Sequence, residues 1–543
     1  MNNPLWWRDG IIYQIYPRSF ADHNNDGLGD LPGITSRLDY LADLGIDAIW
    51  LSPFYPTPDK DFGYDISNYV DVDPRFGTLA DFDHLVREAH KRGIRIVLDL
   101  VLNHTSDQHP WFLESRSSRD NPKRDWYIWS PPSPQRGTPP VSAGNGGNRR
   151  GAGVPNNWQA CFGDKAWEFD TATGEYYLHL FTKEQPDLNW RNPEVRKAVL
   201  DSVRFWLERG ADGFRLDVFN AYFKHADLPS NPSKPGLRRF DRQRHIYDMD
   251  QPEMMPLLNE LRALLDSYPE RYSVGETYLA TPQKTVSYCG TDKLHAAFSF
   301  DFTSVGMGMR FPWNPAWIIE QIVRREEVFN AAGIWPTTVM GNHDLPRTAT
   351  RYAKGKEDTQ ARLAMALLLT LRGTPFLYYG EEIGMRDVPL RRSEIQDPPG
   401  KKYWPLYKGR DGCRSPMQWD ASPNAGFSTT KPWLPVHPNH ATRNVAAQRS
   451  DPNSLFNLTR KLIALRREHP ALRQGDFTPV PTPKGVAAYV RGTGSGSILV
   501  ALNFGKRIRK LVPPTGQWTP LFQDQPSANP FDLAPGSVSL FIC

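Results

Sequence analysis

IRIVLDLVLNH, residues 94–104, is the stretch that decides the fold. Positions 94–100 read as a buried strand, and the run stops at two polar side chains, Asn103 and His104. An amphipathic helix precedes it at 79–91, with Leu85 and Ala89 on one face. The same alternation extends in both directions. Strands are expected at 11–16, 48–51, 94–100, 213–218, 273–275, 297–302, 337–340 and 376–379. Helices are expected at 31–44, 79–91, 193–208, 254–266, 315–331, 360–371 and 455–467. Short apolar strands followed by helical material imply parallel β–α units. Eight such strands in a chain of 543 residues favour an α/β fold, a closed (β/α)8 TIM barrel, over an open doubly wound sheet. No glycine-rich phosphate loop follows the first strand, which weighs against a nucleotide-binding sheet.

Three regions depart from this pattern. The stretch after the third strand is too long for a β–α loop, so a small inserted domain is expected at 104–182. Its Pro/Gly/Ser-rich part, 130–155, reads as a mobile tip. The barrel then occupies 1–103 and 183–473, with elaborated loops at about 219–252 and 385–448. From 474 to 543 short alternating runs, such as 486–489 and 497–502, are bounded by Gly and Pro and read as a C-terminal all-β domain, a β-sandwich.

Composition excludes several classes. Apolar residues at 39% and charged residues at 23% rule out a disordered or fibrous chain. A net charge of +5 over this length is nearly neutral and gives no footprint for nucleic acid or an anionic membrane. The longest apolar run, 363–369, falls far short of the roughly 18 residues a membrane helix needs. The start, MNNPLWWRDG, does not read as a secretory signal, and the four cysteines show no paired spacing. A cytoplasmic protein, monomer or homodimer, is therefore expected. Aromatic residues reach 12%, a content that suits a cleft for flat rings such as sugars as well as a large core.

In a barrel, chemistry sits at the C-terminal ends of the strands. There the chain places Asp99, Asn103 and His104 on strand three, Arg215 and Asp217 on strand four, Glu276 on strand five, and His343 with Asp344 on strand seven. Asp217, Glu276 and Asp344 thus converge on one rim, a costly arrangement for a purely structural role. A divalent metal is an alternative use of three acids, but no dedicated ligand motif is present. Glycoside hydrolysis uses two carboxyl groups, one nucleophile or base and one acid. Arg215 and Asp217 share a strand face, so the guanidinium is expected to keep Asp217 ionised, with Glu276 as the raised acid.

The blocks DLVLNH, GFRLDV, VGET and GNHD resemble the four signature regions of the α-amylase superfamily, glycoside hydrolase family 13. Flanking text (IYQIYPRSF, WLSPFYPTP, FGYDISNY, QPDLNW, PFLYYGEEIGM, GRDGCRSPMQW) is similar to its α-glucosidase and oligo-1,6-glucosidase branch, from about Trp6 to Leu472. The resemblance implies Asp217 as nucleophile, Glu276 as acid/base and Asp344 as the grip on the sugar's 2- and 3-hydroxyls. It implies Asp65, Tyr64, His104, Phe162, Arg215, His343 and Arg410 around the non-reducing glucose. The implied activity is retaining, exo-acting hydrolysis of terminal α-linked glucose from short oligosaccharides or α-glucosides, with transglucosylation when a sugar hydroxyl replaces water. A glucosyltransferase, or a sucrose or trehalose isomerase, is the alternative use of the same intermediate. A catalytically dead barrel serving as a binding subunit is a third reading, against which stand three intact acids. Val218 resembles α-1,6-preferring members while Thr277 differs from the Met common in oligo-1,6-glucosidases, so linkage stays open.

A separate signal follows strand one. Asp22, Asn24, Asp26 and Asp30 alternate around Gly27, as at the start of an EF-hand loop. An Asx-rich turn before a helix gives the same pattern. The resemblance implies a structural Ca²⁺ or Mg²⁺ held by Asp22, Asn24, Asp26, the Leu28 carbonyl and Asp30, and no organic cofactor.

Overall fold

The computed structural model describes residues 5–133, 153–300, 313–352 and 358–543. Three strands open the barrel: β1 (Ile12–Ile15), β2 (Ala48–Leu51) and β3 (Arg95–Leu100). An inserted antiparallel sheet follows, with β4 (Trp129–Ser130), β5 (Trp167–Asp170) and β6 (Glu175–Leu178) in the order β4–β6–β5. The barrel resumes with β7 (Gly213–Leu216), β8 (Tyr272–Gly275), β9 (Ala296–Ala297), β10 (Thr337–Val339) and β11 (Thr374–Tyr378).

The eight barrel strands lie in the order β10–β11–β1–β2–β3–β7–β8–β9, and every pair is parallel. Side chains join the remaining seam: the Ser299 N–H donates to Thr337 Oγ1, which donates to the Ala297 carbonyl, both at 3.2 Å. β1, β2, β7 and β8 are buried at every position. That fits strands with packed side chains inside the ring and helices outside it.

The helices start where their caps say. Thr78 and Asp81 form a reciprocal capping box ahead of Leu79–Lys91. Asn192 and Asn314 cap Pro193–Glu208 and Pro315–Ala331, each with Pro in the first turn. The helix expected at 31–44 is instead two, Leu31–Ser36 and Leu38–Leu44. The Thr35 and Ser36 hydroxyls bond back to the Leu31 and Gly33 carbonyls at 2.9 and 2.7 Å, competing with the helical ladder. Arg37, at the break, lays its guanidinium over the Trp419 ring. The sixth barrel strand is shorter than expected, and positions 301–302 of that expectation lie outside the described residues. Most of the expected tip at 130–155 does too.

Beyond the barrel, β12 (Phe477–Pro479), β13 (Val486–Arg491), β14 (Ile498–Asn503), β15 (Arg509–Lys510), β16 (Thr519–Gln523), β17 (Asp532–Leu533) and β18 (Val538–Ile542) form the all-β C-terminal unit. Five of these strands make one antiparallel sheet, β12–β13–β14–β18–β16, and β15 pairs with β17. Val486, Leu499, Leu511, Leu533 and Phe541 share one apolar cluster. Among the described residues no helix is long and apolar enough to cross a membrane.

Candidate active site

β3, β7 and β8 run side by side, and their register sets the centre of the site. Asp99 lies opposite Arg215, and Leu216 lies opposite Gly275. Asp217 and Glu276 are therefore the first residues past the ladder on neighbouring strands. Their N–H groups still point back into it, to the Leu100 carbonyl at 2.9 Å and the Leu216 carbonyl at 2.8 Å.

Arg215 is 1% exposed and faces the Trp50 ring. Its Nη1 donates to Asp217 Oδ1 at 2.7 Å and to Asp99 Oδ1 at 2.7 Å, while Nη2 donates to Glu276. The expectation gave Arg215 to Asp217 alone. Register brings Asp99 and Glu276 to the same height, so one guanidinium serves three carboxyl groups. One positive charge does not neutralise three acids. Contrary to the expectation that Arg215 keeps Asp217 ionised, burial pushes its carboxyl up, and Glu276, Asp99 and Asp344 push it the same way against Arg215. Asp99 is raised to about 6, chiefly by burial, which Arg215 opposes.

A relay of neutral groups supports this cluster. Gln14 Nε2 sits 2.7 Å from His343 Nδ1, and His343 Nε2 sits 2.6 Å from the Tyr64 hydroxyl. With Gln14 donating, Nε2 carries the ring proton. The Tyr64 hydroxyl in turn donates to Asp99 Oδ2 at 3.1 Å. Burial lowers His343 to about 3 and His104 to about 4, so both rings are neutral at physiological pH.

Asp344 is wired differently. Its Oδ1 accepts from Arg410 Nη1 at 3.2 Å and Arg414 Nη2 at 3.0 Å. Burial acts to raise its pKa, but the Arg410 and Arg414 guanidiniums hold it well below the usual carboxylate range. Arg410 also donates to Asp61 and Asp397, both at 2.7 Å, and lies over the Phe162 ring. Asp61, Phe162, Asp344 and Arg410 together line a cleft of about 830 Å³.

Asp217, Glu276, Asp344, Tyr64, His104, Phe162, His343 and Arg410 all line that cleft, and Arg215 lies beneath it, against Glu276. Asp65 does not line it. Its two oxygens accept the N–H groups of Lys60 and Asp61 at 2.8 and 2.9 Å, so it holds the loop that presents Asp61 instead. The acidic face of this segment is therefore Asp61, four residues earlier than expected. Burial raises Asp65 to about 6.

Other residues of the site went unread in the sequence. Asp397 and Arg414 lie in loops whose chain path no periodicity reports. Lys224 is a lone cation in NAYFKHADL, and that isolation is the one signal it offers. Fully buried, it ties Asn103 Oδ1 at 2.9 Å and the Ala221 carbonyl at 2.6 Å to Asp187 Oδ2 at 2.6 Å. It thereby links the barrel to the segment that returns from the insertion.

The candidate ligands in the loop after β1, Asp22, Asn24, Asp26, the Leu28 carbonyl and Asp30, all offer oxygen, a chemistry that suits a hard cation. Its side chains also serve the loop itself. Asp22 accepts the Asn25 and Gly27 N–H groups at 2.7 and 2.8 Å, and Asn24 accepts that of Asp26 at 2.9 Å. Asp26 accepts the Leu28 N–H at 2.8 Å. Asp30 accepts from His23, Asn24 and Gly33, the last capping the helix Leu31–Ser36. Gly27 has φ of +94°, and a Cβ there would meet the Lys431 carbonyl oxygen at 2.3 Å. None of these residues lines the cleft. Among the described residues no group of three or more His, Cys, Asp or Glu is arranged to hold a metal ion. A cation at this loop would therefore draw on Asn24 and the Leu28 carbonyl as well as on lone pairs the amides leave free.

Comparison with known proteins places this geometry. The family model described as "Alpha amylase, catalytic domain" matches residues 14–475. A probable alpha-glucosidase of Rhizobium meliloti (strain 1021) is 44% identical over 515 residues, 92% of this chain and 89% of that protein. An oligo-1,6-glucosidase of Parageobacillus thermoglucosidasius is 41% identical over 532 residues, 93% of this chain and 91% of that protein. The crystal structure of an alpha-glucosyl transfer enzyme, XgtA, aligns with a TM-score of 0.89 at 40% identity, covering 99% of this chain and 100% of that one.

Proposed function

The chain belongs to the α-amylase family, and on that footing we propose that it is a retaining, exo-acting α-glucosidase that removes terminal α-linked glucose from short oligosaccharides or α-glucosides. The observation that carries the mechanism is the one guanidinium bridging Asp217 and Glu276. A retaining glycosidase needs its two carboxyl groups only about 5–5.5 Å apart, and two acids on one guanidinium suit that spacing. The exo mode is supported by Arg410, which ties Asp61 to Asp344 within the lining of the cleft.

In this reading Asp217 Oδ attacks the anomeric carbon while Glu276 gives its proton to the leaving oxygen. The bond to the aglycone breaks and a glucosyl ester forms on Asp217. Glu276, now a carboxylate, takes a proton from water, whose oxygen attacks the same carbon and frees Asp217. Two inversions return glucose in the α configuration. Asp344, ionised between Arg410 and Arg414, accepts hydroxyl hydrogens as charge develops on the ring. The neutral rings of His104 and His343 line the cleft without adding charge.

The likeness to XgtA favours a second outcome, in which a sugar hydroxyl replaces water and the glucosyl group is transferred. We also propose that the 22–30 loop takes a Ca²⁺ or Mg²⁺ ion of structural role. It would be held by Asp22, Asn24, Asp26, the Leu28 carbonyl and Asp30, and would bring these oxygens under one charge.

The central test is Asp217→Asn. Release of glucose from a chromogenic α-glucoside should fall by roughly 10³-fold or more. Proton NMR of the wild-type reaction should show α-glucose as the first product. Retained turnover in the variant, or β-glucose as first product, would overturn the assignment.

A further inference from the structure

We propose that Asn220 is the positioning residue that sets the spacing between Asp217 and Glu276, a role that rests on the glucosidase reading above. The β7–β8 ladder ends at Leu216 and Gly275, just short of both acids. Past that point the two chains must be held by something else.

Asn220 is fully buried in the short turn Phe219–Ala221, three residues beyond Asp217. Its Oδ1 accepts the Tyr278 N–H at 2.9 Å, and its Nδ2 donates to the Tyr278 carbonyl at 3.0 Å. The amide thus pairs with both backbone groups of one residue, as a neighbouring strand would. Tyr278 lies two residues beyond Glu276. The clasp therefore rejoins the chain after one acid to the chain after the other. Nδ2 also donates to Asp250 Oδ1 at 3.2 Å, which accepts the Tyr288 hydroxyl at 2.6 Å, and the Asp250 N–H donates to the Asn220 carbonyl at 2.7 Å.

Two further features need such a clasp. Val218, between Asp217 and the turn, has φ of 33° and ψ of 40°, a left-handed conformation that a β-branched residue adopts only when its surroundings impose it. The Phe219 ring presses on the strand end that carries the acid: a Cβ at Gly275 would meet that ring at 2.3 Å. Without the Tyr278 pairing, Val218 can relax toward ordinary backbone and carry Asp217 with it. Asp61, Tyr64, His104 and Arg410, which also line the cleft, come from other segments than this turn. Loss of the clasp should therefore harm the chemical step and spare glucose binding.

The experiment compares full-length Asn220→Ala and Asn220→Asp with wild type on a chromogenic α-glucoside. A displacement of about 1 Å at a reacting group costs on the order of 10²-fold, so kcat of Asn220→Ala should fall about 100-fold with KM within about threefold. Asn220→Asp keeps the acceptor for the Tyr278 N–H and loses the donor, so its kcat should lie between the two. Asn503→Ala is the control. Its amide holds three backbone carbonyls in the C-terminal unit, and its loss should lower the melting temperature while leaving kcat unchanged. The role is overturned if kcat of Asn220→Ala stays within twofold of wild type, if the loss falls on KM, or if Asn503→Ala loses kcat to the same extent. Should Asn220→Ala fail to fold, the intermediate kcat and unchanged KM of Asn220→Asp decide the matter. Wild-type hydrolysis that disappears in Asp217→Asn establishes the glucosidase reading first, so a null result at Asn220 removes the spacing role alone.

Discussion

Two regions at the C-terminal mouth of the barrel gather acids, and they compensate them in opposite ways. In the cleft, Asp217, Glu276, Asp99 and Asp344 meet guanidiniums: Arg215 for the first three, Arg410 and Arg414 for the last. In the loop 22–30, Asp22, Asp26 and Asp30 meet backbone N–H groups of their own turn. A shared guanidinium leaves a carboxyl able to exchange its proton and attack a neighbour. Amides lock a carboxylate into the chain's local geometry and fix a shape. The first arrangement suits chemistry and the second suits support. Glu382 shows a third way: buried, with the hydroxyls of Tyr13 and Tyr40 donating to Oε1 at 2.8 and 2.5 Å and no ion-pair partner among the described residues.

The comparison breaks most sharply at Arg410. Arg410→Ala removes the cation shared by Asp61, Asp344 and Asp397, and kcat/KM should fall about 10²–10³-fold. The acid limb of the pH–rate profile should also move up, because Asp344 loses a charge that keeps it ionised. A loss below tenfold with an unmoved profile would mean that guanidinium wiring is not what readies these acids.

Glu382 sharpens the contrast in stability. Burial raises it from the usual 4.5 to about 7, so the folded state binds its proton more tightly than the unfolded chain does. Its contribution is therefore most favourable below about pH 4.5 and is lost as pH rises through 7. Glu382→Gln keeps an acceptor for both tyrosines and removes the titration. Relative to wild type it should gain roughly 2–3 kcal/mol of stability between pH 5 and pH 8. Urea unfolding at the two pH values measures this, and a pH-independent difference would refute it.

The smallest effect concerns the loop. If a cation unites its oxygens, chelator should lower the melting temperature by a few degrees and leave kcat unchanged once the protein is held well below that temperature. Elemental analysis should find about one ion per chain. An unchanged melt with no bound metal would show that the backbone amides suffice.

The barrel and its three acids were legible because both are local signals. Strand ends such as LDLVLNH and GFRLDV carry their polar residues within a few positions of an apolar run, so the rim can be read off the chain. The loops were less so. Asp61 and Asp65 are both acidic and stand four residues apart, and composition does not distinguish the one that faces the cleft. The turn at 57–65 does, by folding the Lys60 and Asp61 N–H groups onto Asp65. Asn220 and Lys224 were likewise silent, since their partners Tyr278 and Asp187 lie far along the chain.

By itself the sequence determined the alternation of strand and helix and which residue types reach the barrel's mouth, since periodicity and strand ends are properties of neighbours. The tertiary structure alone decided how Arg215 is divided among three acids, which aspartate enters the cleft, and what joins the chains beyond the ladder. Charge sharing and hydrogen bonding depend on distances between segments that only the closed ring brings together.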